Sequence, residues 1–162
     1  TTVKDSEEVV QNWGKIKEQE RAAKGLSKRR LLDGVPAGLP ALHRAQRLGE
    51  KVAKVGFDWP DVAGVRDKIS EELAELDEAL GQNDRGQIEH ELGDLLFTLT
   101  RLGSKLGIPP EDALRSANQR FIARVSKMED AVDSDGKKLA ELDLSAMNDY
   151  WERAKRDLGT GT

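Results

Sequence analysis

Apolar side chains recur at helical spacing along almost the whole chain, and glycines and prolines cut the pattern into segments. Val9, Val10, Trp13 and Ile16 predict a first amphipathic helix, capped by Ser6 and running to about Lys24. Residues 25 to 39 hold Gly25, Gly34, Pro36 and Gly38 and read as an ordered loop. Pro40 suits the first turn of a second helix carrying Leu42, Leu48 and Val52, which the turn Gly56-Phe57-Asp58-Trp59-Pro60 closes. A third helix is expected from about Asp61 to Leu80, followed by a turn over Gly81 to Gly86. The fourth reaches about Leu106, where Gly107 offers a C-cap and Pro109-Pro110 a sharp restart. A fifth spans roughly 110 to 132, and Ser145 suits the cap of a last helix ending near Leu158. Sustained alternation with a period of two is absent, so the chain reads as all-α, an antiparallel helical bundle. One domain is expected overall, with the helix and loop of residues 1–39 leading into a bundle over residues 40–162.

Two of these helices carry more than a core pattern. At about 100° per residue, Ile69, Leu73, Leu76 and Leu80 form one apolar stripe, and Glu72 and Glu75 lie along one edge of it. A shift of 19 positions reproduces the arrangement: Ile88, Leu92, Leu95 and Leu99 form the stripe, with Glu91 and Asp94 on the matching edge. A short turn makes the two helices antiparallel, and same-handed edges then fall on the same side of the hairpin. Glu72 and Asp94 are equidistant from position 83, and so are Glu75 and Glu91. Four carboxylates should therefore converge at one level, with nothing cationic in the two motifs to offset them. A hard divalent cation with oxygen ligands answers that repulsion, and Mg²⁺, which keeps waters and binds phosphates, suits an open cluster. Glu71 points elsewhere and stays open as a base, a group behind the ligands or a plain surface charge.

Composition narrows the class without changing this picture. In 162 residues, 37% hydrophobic and 35% charged, the apolar share is low enough that a second copy is expected to complete the core. The net charge of −4 argues against a nucleic acid polymer as partner, because nothing neutralises a phosphate backbone at scale. No apolar run approaches the ~18 residues of a membrane span. With no cysteine, thiolate metal sites and disulfides are excluded, in keeping with a cytoplasmic protein.

The acidic motifs, Glu71-Glu72-Leu73-Ala74-Glu75 and Glu91-Leu92-Gly93-Asp94, resemble the EExxE and ExxD signature of the MazG-type all-α nucleoside triphosphate pyrophosphohydrolases. The likeness extends over nearly the whole chain, through the segments 33–42, 55–59 and 93–97, Ala117-Asn118 with Phe121, and Met147 with Trp151 and Lys155. The segment from Lys4 resembles the start of the second half of the two-domain MazG proteins, which would account for an opening residue other than Met. The resemblance implies a homodimer and hydrolysis of a nucleoside triphosphate to monophosphate and pyrophosphate. It implies Mg²⁺, replaceable by Mn²⁺, held by Glu72, Glu75, Glu91 and Asp94, with Glu71 or Glu75 as catalytic base. Arg120, Arg124, Trp151 and Lys155 match its nucleotide contacts. Arg120 stands where the family also carries Lys, and Ile122, Ala123 and Val125 replace a more charged and aromatic run.

Read by themselves, Arg120 and Arg124 suit either phosphate binding or a basic face paired with the chain's acids. Trp151 suits a base stack or a packing anchor. Lys54 and Lys68 are further phosphate-contact candidates, and His43 and His90 stand isolated, without metal-ligand spacing. Gly34 and Gly38 are not followed by the Gly-Lys-Ser/Thr of a phosphate-binding loop. Two rival readings share the fold: an enzyme acting on dUTP or phosphoribosyl-ATP, and a non-catalytic helical dimer that binds metal or nucleotide.

Overall fold

A computed structural model of the chain describes residues 29–159, together with residues 13, 15–17, 19 and 20. Within residues 29–159 five α-helices follow one another: α1 (Ala41–Ala53), α2 (Val62–Gln82), α3 (Arg85–Leu106), α4 (Pro110–Ser134) and α5 (Leu144–Asp157). A short 3₁₀ turn, Leu139–Glu141, lies between the last two, and no strand occurs among the described residues. The expected first helix falls largely outside the described residues, Ser6, Val9 and Val10 included; those described within it are helical.

Local chemistry accounts for each boundary. Asp61 caps α2 by accepting a hydrogen bond from the Gly64 amide at 2.9 Å. The turn into α3 is tighter than the glycines suggested, since Gly81 and Gly86 are both helical. Asn83 takes the left-handed conformation (φ 55°), and Asp84 Oδ1 caps α3 by accepting from the amides of Gly86 and Gln87. An asparagine and an aspartate thus do in two residues what was expected of a longer loop. Gly107 (φ 68°) closes α3, and Pro110 opens α4 at a position where a missing N–H costs nothing. Asp143, not Ser145, caps α5: its Oδ1 accepts from the Ala146 amide at 2.8 Å.

Packing divides into two parts, joined by α1, which packs on both α3 and α4, and by a direct contact of α3 with α4. Between α4 and α5 lies an apolar core of Met128, Val132, Tyr150 and Ala154, with Leu139, Leu142, Met147 and Trp151 around it. Tyr150 donates its hydroxyl hydrogen to Asp135 Oδ2 at 2.7 Å, which satisfies the one polar atom of the ring. The α2–α3 hairpin is built differently. Its buried positions are Val65, Glu72 and Ala79 on one helix and Glu91, Thr98, Thr100 and Arg101 on the other. The leucine stripes expected to form the seam flank it instead, with Leu73, Leu80, Leu92 and Leu99 between 43% and 55% exposed. Seven-residue spacing explains the difference: Val65, Glu72 and Ala79 share one line along α2 and face α3, which turns the larger leucines outward.

α3 also carries the fold's main polar tie. Arg101, 3% exposed, lies against Gly49 of α1, where there is no space for a Cβ. Its Nη2 donates to Asp58 Oδ1 at 3.0 Å, and Lys105 Nζ reaches Asp58 Oδ2 at 2.7 Å. Burial opposes the charged Asp58 carboxyl, but hydrogen bonds from Lys105 and Arg101 outweigh it and hold its pKa below the ordinary value. The α1–α2 turn is thereby fastened to the second half of α3.

Candidate metal and nucleotide site

The hairpin brings Glu72, Glu75 and Glu91 together, each offering an oxygen within 4.8 Å of the others. Glu72 and Glu91 are buried at the seam, and Glu75 is exposed at its lip. Asp94 joins through a second group, in which its oxygen, one of Glu91 and a nitrogen of His90 meet the same limit. The structure thus gathers three of the four expected ligands, and Asp94 falls in a second group that shares only Glu91 with the first. His90, read from the sequence as isolated, lies 3.4 Å from Asp94 Oδ2 one helical turn away. A cleft of about 180 Å³ adjoins the acids on the turn side, lined by Glu75, Glu78, Ala79, Gln82, Gln87 and Glu91.

The acids are not without a countercharge, contrary to the expectation from the motifs. Lys68 Nζ lies 2.8 Å from Glu71 Oε1 and 2.7 Å from Glu72 Oε1. Hydrogen bonds to Glu71 and then to Glu72 raise the Lys68 pKa well above that of an ordinary lysine, so the ammonium stays charged. This pairing leaves Glu72 Oε2 buried with no hydrogen-bond partner. A buried carboxylate oxygen without a donor is costly to keep, and here it lies among two further acids. The donor set is hard oxygen throughout, open on one side through Glu75, and suits a divalent cation.

The candidate nucleotide contacts lie on the other part of the fold. Trp151 of α5 sits half-buried with Phe121 of α4 beside it, their ring centroids 5.5 Å apart at 50°. Arg124 lies over the Trp151 ring at 5.9 Å from its centroid. Lys155 is bound to Glu152 at 2.8 Å, and Arg120 is exposed on α4. No ion pair or hydrogen bond joins these four to the acids of the hairpin among the described residues. Phe121 was quoted in the sequence as part of a resemblance and not as a contact; its spacing from Arg124 and Arg120 on one helix was the available signal.

A family model described as phosphoribosyl-ATP pyrophosphohydrolase matches residues 45–121, which include the hairpin and Arg120 but not Arg124, Trp151 or Lys155. The nucleoside triphosphate pyrophosphohydrolase/pyrophosphatase MazG of Thermotoga maritima is 43% identical over 143 residues, 88% of this chain and 54% of that protein. The nucleoside triphosphate pyrophosphohydrolase of Escherichia coli K12 is 38% identical over 158 residues, 96% of this chain and 59% of that protein. YabN of Bacillus subtilis, an uncharacterized protein, is 39% identical over 154 residues, 94% of this chain and 31% of its own length. The chain thus spans somewhat more than half the length of the first two.

Proposed function

The chain is of MazG type, and from that premise we propose that it hydrolyses nucleoside triphosphates to monophosphate and pyrophosphate with a divalent metal held by Glu72, Glu75, Glu91 and Asp94. The observation that carries this reading is the buried, unpartnered Glu72 Oε2 beside two further carboxylates. Magnesium held there, with manganese as a substitute, would supply charge neutralisation of the triphosphate and would make the attacking water more acidic. The chain's own groups do the rest. A water oxygen bonds to the α-phosphorus as the bond from that phosphorus to the α–β bridging oxygen breaks, and pyrophosphate leaves with the electron pair. The water's proton passes to a carboxylate, Glu75 at the exposed lip or Glu71, whose Oε2 is not held by Lys68. Arg120, Arg124 and Lys155 meet the phosphate oxygens, and Trp151, backed by Phe121, offers a surface for the base. The reading includes a cytoplasmic location, where nucleoside triphosphates are used.

The reading includes a homodimer. The outward leucines of the hairpin, with Leu96 and Phe97 at 47% and 38% exposed, leave large apolar side chains in water that a second copy would cover. Light scattering on the eluting protein is expected to give twice the 17.9 kDa of one chain. The pair Leu92→Asp and Leu96→Asp is expected to shift it to one; a monomeric wild type would remove the dimer from the reading.

The test is product analysis with each common triphosphate, dUTP and phosphoribosyl-ATP, with and without Mg²⁺. Equal yields of monophosphate and pyrophosphate are expected, abolished by chelation and restored by Mg²⁺ or Mn²⁺. Release of orthophosphate would overturn attack at the α-phosphorus. The family model favours one specific alternative, phosphoribosyl-ATP as the preferred substrate, and a ratio of kcat/KM well above that of the plain triphosphates would establish it. Binding without turnover across the panel would point to the non-catalytic dimer.

A further inference from the structure

The ion pair at Glu72 does something the reaction above does not use. Lys68 stands three and four residues before Glu71 and Glu72, so one ammonium reaches an oxygen of each from the preceding helical turn. The two carboxylates differ sharply in surroundings. Glu71 is 57% exposed at its side chain, whereas Glu72 is only 4% exposed. Water screens the charge of Glu71, but among the described residues Lys68 makes the one ion pair of Glu72. The lysine therefore supplies positive charge to the buried acid.

We propose that Lys68 is a placeholder cation, which holds Glu72 Oε1 in the metal-free protein and must release it before a divalent ion can be fully bound by Glu72, Glu75 and Glu91. The inference rests on the metal reading above. Its physical basis is competition for one carboxylate. An ion held by Glu72 Oε2 would share one carboxylate with the Lys68 ammonium on Oε1, and two positive charges so placed repel in a half-buried setting. Glu71 makes the exchange possible without stranding the lysine. The ammonium, 31% exposed at its side chain, keeps Glu71 and gains water when Glu72 is taken. Lys68 thus sets how tightly the metal binds alone and keeps the acid cluster folded while the metal is away.

The experiment measures metal binding without nucleotide, by the free Mn²⁺ signal in electron paramagnetic resonance and by calorimetry with Mg²⁺. Wild type should bind saturably and Glu72→Ala should not; if Glu72→Ala binds as wild type does, the metal reading itself fails whatever Lys68 does. Given that result, Lys68→Gln is expected to bind Mn²⁺ about tenfold more tightly, and Lys68→Arg, which keeps the cation, to stay within about threefold of wild type. Arg66→Gln makes the same change of net charge two residues away, where no ion pair with a described carboxylate is formed, and its affinity should be unchanged within about twofold. Unchanged or weaker binding in Lys68→Gln would overturn the inference while leaving the metal site standing. An equal gain in Arg66→Gln would overturn it as well, because net charge alone would then explain the effect. Lys68→Met, which keeps the apolar stem, takes the place of Lys68→Gln if melting curves show that the latter does not fold.

Discussion

Glu72→Ala is expected to lower Mg²⁺-dependent pyrophosphate release by about three orders of magnitude, roughly 4 kcal/mol at the transition state, while the protein stays folded. The two halves of that expectation have separate physical causes. Activity falls because Glu72 belongs to the one set of three carboxylates, among the described residues, that combines two buried acids with an open lip. Stability holds because the substitution removes a charge that is poorly provided for: Oε2 has no hydrogen-bond partner, and only Lys68 answers Oε1. Deleting a buried, incompletely satisfied acid is neutral or stabilising when its partner keeps another contact, and Lys68 keeps Glu71. A thermal melt beside the pyrophosphate assay therefore separates a lost ligand from a damaged fold. Full activity would remove Glu72 from the metal set. A melting temperature lower by more than about 5 °C, or about 2 kcal/mol for a chain of this length, would mean that the loss of activity reports unfolding.

How much of this was visible in the sequence depends on the range of the interaction concerned. The meeting of Glu72, Glu75 and Glu91 was legible because helix rise and a short turn fix which residues of a hairpin stand opposite. The turn proved shorter than thought, yet Asn83 and Asp84 remain centred almost where the arithmetic put it. Which line of α2 faces α3 was not legible. The leucine stripe and the line of Val65, Glu72 and Ala79 are neighbours on the same cylinder, and choosing between them depends on what else covers the hairpin. Apolarity favoured the leucines; in the structure they stand outward, where a partner surface has to be sought. The pairing of Lys68 with Glu71 and Glu72 has a local signal, the ordinary helical pair spacing, which stands beside the expectation of a phosphate contact. His90 and Asp94 carry the same signal. Arg101 and Asp58 are different, since 43 residues separate them and no periodicity links a turn residue to the far half of a helix.

That distant pair carries the second large effect. Asp58→Ala is expected to destabilise the fold by about 3 kcal/mol, a substantial share of the ~5–15 kcal/mol typical of a domain, and to lower the melting temperature by roughly 10 °C. The cost comes less from the contacts removed than from what stays behind. Arg101 is 4% exposed at its side chain, and without Asp58 its remaining hydrogen bond is to Ser104 Oγ at 3.4 Å. Retreat is blocked, because the guanidinium lies against Gly49 of α1. Lys105, 20% exposed, turns to water at little cost. The dependence on pH has a definite sign. Asp58 has a lower pKa folded than its ordinary value of 3.8, so between the two values the unfolded chain binds more protons than the folded one. The stabilisation is complete above the ordinary value and disappears as pH falls through the folded one. The difference in melting temperature between wild type and Asp58→Asn should accordingly be constant near neutrality and shrink below about pH 4. Equal melting temperatures at pH 7 would show that Arg101 finds another partner. Below the lower melting temperature pyrophosphate release should match wild type, because no contact of Asp58 reaches the acids of the hairpin; a fall there with the fold intact would tie the Asp58 turn to the reaction itself.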